Sequence, residues 1–186
     1  MNLSRKDKIR GSLIGGAVGD ALGYPVEFAS YSNIKSMFGE NGITRFVLNN
    51  NGVAEISDDT QMTLFTANGL LYGITRFCMR GIGSDLFNYV AIAYDEWLQT
   101  QMELPLEDEW HTCWIRNISA LNSRRAPGNT CLSALTALRE QKAVSNNSKG
   151  CGGVMRAAPV GLLSGVARGK ETIDIACDCA AITHKH

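Results

Sequence analysis

Net charge is what this sequence lacks first: 18 Lys and Arg stand against 18 Asp and Glu in 186 residues. No long-range field draws such a chain to nucleic acid or anionic lipid, which argues against a bulk polyanion as its partner. Cysteine patterning is missing too. Cys78, Cys113, Cys131, Cys151, Cys177 and Cys179 show no CxxC spacing, which excludes the usual zinc motifs and the dense disulfide framework of a small secreted domain. Reduced thiols in a cytoplasm are the expectation. No apolar run approaches the ~20 residues needed to span a bilayer. The opening MNLSRKDKIRGSLIGGAVG has the basic-then-apolar order of a leader. Its apolar part is short, glycine-rich and interrupted by Asp20, with no clear cleavage site, so it is read as part of the folded chain. Internal repeats, low-complexity linkers and alternating apolar runs joined by two-residue turns are all absent, which leaves little room for hairpin or solenoid architectures.

What is present is helical periodicity over most long segments, in a chain 45% hydrophobic. One domain spanning 1–186 is expected, large enough to bury about 70% of its unfolded surface. Helices are predicted at about 6–22, 57–72, 85–101, 130–142, 154–166 and 171–182, with core faces such as Ile9, Leu13 and Ala17 in the first and Leu64, Ala67 and Leu71 in the second. Gly11, Gly15, Gly19 and Gly23 form a row every four residues along the first helix. Each glycine costs about 1 kcal/mol of helix propensity against alanine, so the row predicts close approach of another element. After Pro25 a Gly- and Asn-rich stretch reads as a loop holding one short strand at 45–48.

Five places carry residues suited to chemistry. Ser57-Asp58-Asp59 sets three oxygen donors at a helix start, where they can ligate a hard divalent cation or simply cap the helix. Glu27, just after a helix that ends in Gly23 and Pro25, is a base, a metal ligand or a solvated carboxylate, while Asp20 reads as bonding locally. Gly150-Cys151-Gly152-Gly153 precedes an expected apolar helix. Its N–H groups can cradle a phosphate, although it matches no dinucleotide fingerprint or P-loop and a tight turn explains it equally. Arg125-Ala126-Pro127-Gly128-Asn129-Thr130 reads as a turn and cap, and His184 and His186 lie in a terminal segment.

In order, GSLIGGAVGDALGYPVEF, SDDTQM, RAPGNT, SKGCGGVMRAAPVGLL and ITHKH resemble the successive motifs of the ADP-ribosylglycohydrolase family, over nearly the whole chain. The resemblance implies an all-α orthogonal helical bundle with a two-metal centre of Mg²⁺ or Mn²⁺. It assigns Ser57, Asp58 and Asp59 to metal, Glu27 to the metal edge, and Gly150, Cys151, Gly152, Gly153, Met155 and His184 to substrate. Cys151 stands where many relatives carry asparagine. The family continues into a further Asp-x-Asp-Thr motif, whereas this sequence stops within the Thr-His motif, so the C-terminal part of the bundle is expected to be missing. Asp174 and Asp178 sit in a different context and are not taken as substitutes.

The implied activity is metal-dependent hydrolysis of the glycosidic bond between ADP-ribose and a modified protein or small-molecule target, with Glu27 or Asp59 as the catalytic acid or base. The alternatives are an inactive ADP-ribose- or nucleotide-binding module, and a metal-dependent phosphohydrolase, which would release phosphate.

Overall fold

Ser57 starts the longest element of the chain. Its backbone is extended and its hydroxyl accepts from Asp59 N at 3.1 Å, which satisfies one of the amides that the first turn leaves unpaired. The computed structural model to which this helix belongs describes residues 3–102, 111–163 and 169–186. Seven helices are described: α1 (Arg5–Gly23), α2 (Tyr31–Phe38), α3 (Asp58–Arg80), α4 (Leu86–Gln101), α5 (Asn129–Arg139), α6 (Ala158–Gly161) and α7 (Gly169–Ala181). Among the described residues extended pairing is limited to a single antiparallel bridge between Leu48 and Ala54. The fold is all-α, as expected, and the strand predicted at 45–48 is not formed. Asn49 Oδ1 accepts from the amides of Asn51 and Val53, so an asparagine turn takes the hydrogen bonds that a ladder would need. The six cysteines are free thiols. No helix of the described residues is long and apolar enough to cross a membrane.

The core forms where α3 lies against α4. Met62, Phe65 and Leu70 of α3 meet Val90, Ala93, Tyr94, Trp97 and Leu98 of α4, all essentially excluded from water. The stripe predicted on α3 was displaced from the buried one, for Leu71 points outward. The polar Gln61 is buried inside this stripe and hydrogen-bonded at both ends. Its Nε2 donates to the carbonyls of Leu121 and Ser123, and its Oε1 accepts from Trp97 Nε1 and Gln101 Nε2. Buried amides keep their place only when satisfied in this way, and here the bonds pin the loop after residue 120 to the core.

Close approach through glycine occurs in α3, not in α1. A Cβ at Gly69 would lie 2.8 Å from the Tyr89 carbonyl oxygen and from Val90 Cα, so the α3 and α4 backbones touch there. Nothing lies within 4 Å of the corresponding positions at Gly11, Gly15, Gly19 and Gly23, and Ala21 is the buried residue of α1. Ile9, Leu13 and Ala17 are half-buried, and the glycine face is open among the described residues.

Two further boundaries differ from expectation. α3 runs on to Arg80, because Gly73 is packed against the Tyr89 ring instead of ending the helix, and Gly81 closes it in the left-handed region at φ 64°. The helix predicted at 154–166 is replaced by a 3-10 turn at Cys151–Gly153, further tight turns and the four-residue α6. Pro159 explains the break: it has no N–H to donate, and its ring clashes with the carbonyl four residues back in a continuous helix. Residues 164–166 of that prediction lie outside the described residues. α2, which was read as loop, is capped by Ser30, whose hydroxyl accepts from Asn33 N.

Candidate active site

A cleft of about 530 Å³ opens between the start of α3, the turn after α1, the entry to α5 and the Gly150–Gly152 loop. Glu27, Asp58, Asp59, Gly150, Cys151, Gly152, Met155 and His184 all line it, so residues up to 157 positions apart in sequence face one space. Ser57 and Gly153 do not line it. Ser57 is buried with its hydroxyl turned to its own helix, and a Cβ on Gly153 would sit 3.1 Å from that of Ala180 in α7.

The start of α3 is held from three sides. Asp20, in the last turn of α1, accepts from Ser57 N at 2.9 Å, Thr60 N at 3.2 Å and the Thr60 hydroxyl. A carboxylate from another helix thus serves the helix N-terminus as a second cap, where its negative charge is also favoured. Asp58 N donates to Arg125 O at 2.8 Å, and Asp58 Oδ2 accepts from Gly128 N at 3.2 Å. Arg125 itself pairs with Glu55, and Ala126 sits in the left-handed region at φ 51°, which turns the chain so that Gly128 N meets Asp58. This segment, read from the sequence as an ordinary turn, supplies one wall of the cleft, and α5 begins without a side-chain cap.

Three carboxyl groups in this wall are pushed toward neutrality. Burial raises Asp58 to about 7, with Asp59 and Glu27 adding to the effect against the Gly128 hydrogen bond. Asp59 is raised by burial and by Asp20. Glu27 is raised by partial desolvation, then by Asp59 and Asp20. Among the described residues no Lys or Arg forms an ion pair with any of the three. Mutually repelling oxygens without a protein cation are the donor set that hard divalent ions favour. By that chemistry the carboxylates of Asp58 and Asp59 suit a metal, whereas the Ser57 hydroxyl, turned to its own helix, does not face the cleft. Among the described residues no three His, Cys, Asp or Glu side chains converge closely enough to enclose an ion.

The opposite wall is built from the Gly150–Gly152 loop and His184. Thr130 and Ser148 hydroxyls meet at 3.1 Å, tying the loop to the start of α5. Asn146 clips it to the chain end, with Nδ2 donating to Thr183 O and Oδ1 accepting from Ser148 N and Lys185 N. Thr63 of α3 donates to Met155 O at 3.1 Å, fixing the far end of the loop. Gly152 has to be glycine: a Cβ there would lie 2.7 Å from His184 Cε1 and 3.1 Å from Cys131 Sγ. The expected phosphate cradle at a helix N-terminus is corrected in form. Gly150, Cys151 and Gly152 line the cleft, but Gly150 N donates to Ser148 Oγ, Cys151–Gly153 is itself a 3-10 turn, and Val154 N and Met155 N both turn back to Cys151 O.

Several residues that shape the cleft escaped the sequence reading. Asp20 read as a local hydrogen-bonding residue because its partners lie 37 and 40 positions away. Phe28, 79% exposed at the rim, carried no signal beyond its place after Glu27. Arg156, read only as the end of the glycine-rich motif that begins at Gly150, does not line the cleft and is 1% exposed beneath it.

A sequence model of the family described as ADP-ribosylglycohydrolase matches residues 1–186. The chain is also 29% identical over 192 residues to YegU, an uncharacterized protein of Escherichia coli (strain K12), with 97% of this chain and 49% of that one covered. The chain spans about half the length of this curated relative.

Proposed function

The chain belongs to the ADP-ribosylglycohydrolase family, and from that premise we propose that its cleft serves hydrolysis of the glycosidic bond joining ADP-ribose to a modified protein or to a small molecule. One observation carries the reading: Glu27, Asp58 and Asp59 face the Gly150–Gly152 loop and His184 across a single cleft. An acidic wall suits the sugar, on which positive charge develops as the bond breaks. A close-fitting glycine-rich loop without acidic side chains, together with an imidazole, suits the diphosphate. A volume of about 530 Å³ falls within the usual range for small-molecule sites.

Asp58 and Asp59 would hold the divalent ions, Mg²⁺ or Mn²⁺, while Ser57, expected as a third ligand, serves as the cap of α3. When bound, such ions supply positive charge that orients hydroxyl groups and makes water more acidic. Glu27 is the group we assign to the proton. It is exposed to the cleft, and its carboxyl is raised by partial desolvation and by the charges of Asp59 and Asp20, which makes it a better proton acceptor than a free carboxylate. In the proposed step a water oxygen bonds to the anomeric carbon, the carbon–nitrogen or carbon–oxygen bond to the target breaks, the water proton goes to Glu27, and Glu27 then returns it to the leaving atom and is regenerated as the carboxylate. Asp59, deeper in the wall, is the other carboxylate suited to this role.

The test is release of free ADP-ribose from an ADP-ribosylated protein by the full chain, with Mn²⁺ or Mg²⁺ and with chelator. Metal-dependent release that disappears in Asp59→Ala supports the reading. Release of inorganic phosphate instead, or no turnover with any metal, overturns it.

A further inference from the structure

Arg156 is a buried cation with no carboxylate beside it among its described contacts. One guanidinium nitrogen donates to Cys179 O at 3.3 Å and to Thr183 Oγ1 at 2.6 Å, and the other points at Met62 Sδ and Cys131 Sγ at 3.5 Å each. The ring of Tyr94 lies 4.5 Å from Cζ and offers its face to the charge. Such burial costs stability, and sulfur contacts compensate poorly. The arrangement therefore calls for a purpose beyond packing, and the next contact supplies one. Thr183 Oγ1 is also 2.8 Å from His184 Nδ1, and the imidazole of His184 is the group that overhangs Gly152 in the cleft.

We infer that Arg156 and Thr183 are positioning residues that hold His184 in its Nε2–H tautomer, so that the ring presents a hydrogen-bond donor to an oxygen of the ligand. The argument follows from donor and acceptor inventories. A guanidinium only donates, so Thr183 Oγ1 accepts from Arg156. The hydroxyl hydrogen of Thr183 is then left to choose between Nδ1 and the Cys131 sulfur, and the imidazole nitrogen is much the stronger acceptor, which makes Nδ1 an acceptor and leaves the ring proton on Nε2. The backbone holds the geometry: Thr183 N and His184 N both donate to Ala180 O, capping the end of α7, and Thr183 O is clipped by Asn146. Among the described residues nothing takes the Nε2 hydrogen. Partial burial and the charge of Arg156 both disfavour the imidazolium, which agrees with a neutral ring. In this state His184 does not accept a proton through Nε2. It recognises an acceptor, and on the function proposed above that acceptor is a phosphate or ribose oxygen.

The inference can be tested independently of that function, by long-range ¹H–¹⁵N correlation on the full chain labelled at histidine. The chain has three histidines, His111, His184 and His186, and the signal lost in His184→Gln identifies the relevant ring. At pH 7.5 the wild type should show the Nε2–H pattern for His184. Thr183→Ser, which keeps the hydroxyl, should retain it. Thr183→Val, which keeps the shape, should give a mixture of tautomers. An Nδ1–H pattern in the wild type, or one unchanged in Thr183→Val, overturns the inference even if Arg156 variants do not fold. ADP-ribose is then titrated: Thr183→Val should bind about tenfold more weakly and Thr183→Ser within about twofold, the loss of one neutral hydrogen bond. Equal affinity in Thr183→Val refutes the recognition role. Failure of ADP-ribose to bind the wild type would instead count against the proposed function, and the tautomer result would still decide the positioning claim.

Discussion

Asp58→Asn separates the cost of burying the Asp58 charge, to which Asp59 and Glu27 add, from ordinary helix capping. Asp58 is 4% exposed, and its carboxyl is lifted from the usual 3.8 to about 7. The sign follows from linkage. A carboxyl raised by folding weakens the fold only when ionised, so the stability it permits is complete below 3.8 and is lost as pH rises toward 7. At ~1.4 kcal/mol per tenfold the full penalty is about 4 kcal/mol. Water in the open cleft screens the charge, which reduces this to about 2 kcal/mol. Asparagine preserves the shape and can still accept from Gly128 N, but it has no charge to desolvate. In chelator at pH 8 the variant should therefore melt about 4–8 °C above the wild type, using the ~2–4 °C per kcal/mol expected at this size. At about pH 3.5, below the usual 3.8, the difference should largely vanish. Adding Mn²⁺ at pH 8 should raise the wild type by about 2.7 kcal/mol at a hundred times its dissociation constant and leave the variant unmoved. Differential scanning fluorimetry at the two pH values reads all of this. A variant less stable than the wild type at pH 8 in chelator, or shifted equally at both pH values, refutes the buried-charge argument and leaves Asp58 a structural residue of the helix start.

Asp20→Ala leaves the amides of Ser57 and Thr60 without their acceptor; about 2–4 kcal/mol should be lost by urea denaturation, and a midpoint unchanged from wild type would show that water replaces the carboxylate. Gly69→Ala forces a Cβ against the α4 backbone and should cost about 1–3 kcal/mol by the same measurement; a neutral result would mean the two helices can separate freely. Glu27→Gln should lower turnover about 10²–10⁴-fold with ADP-ribose affinity held within a few-fold, and wild-type activity should lose its acid limb at a pH above 4.5, because Glu27 is shifted upward. Turnover unaffected in Glu27→Gln would transfer the proton role to Asp59.

The fold was legible where local physics decides it. α4 followed from the spacing of Val90, Ala93 and Trp97, and the start of α3 from Ser57 and two acidic residues in its first turn. Its end was not legible, because Gly73 terminates a helix by propensity and only the Tyr89 ring, from another element, lets it stand inside one. The glycines of α1 show the opposite case. Their regular row implied a close neighbour, yet the intimate contact falls on Gly69 and Gly73, which share no conspicuous pattern. Spacing along one helix reports a face and says nothing about which element meets it.

The cleft was legible by residue type and only in part by role. Carboxylates at the start of α3 and glycines before α6 were readable as chemistry, while the groups that hold them were not. Asp20 binds amides 37 and 40 positions away, and Gly128 reaches Asp58 only because Ala126 turns the chain through a left-handed conformation. Arg156 is the sharpest instance. Between Met155 and Ala157 it has the neighbours of an unremarkable surface arginine, and burial is an outcome for which arginine has the wrong prior. Its position makes sense only from the other end of the contact chain, where a threonine must give its proton to a histidine and therefore needs a partner that can only donate. Lysine is also a pure donor, but the planar guanidinium can serve Cys179 O and Thr183 Oγ1 from one nitrogen while lying against the Tyr94 ring. Arg156→Lys should accordingly loosen His184 even though it keeps the charge.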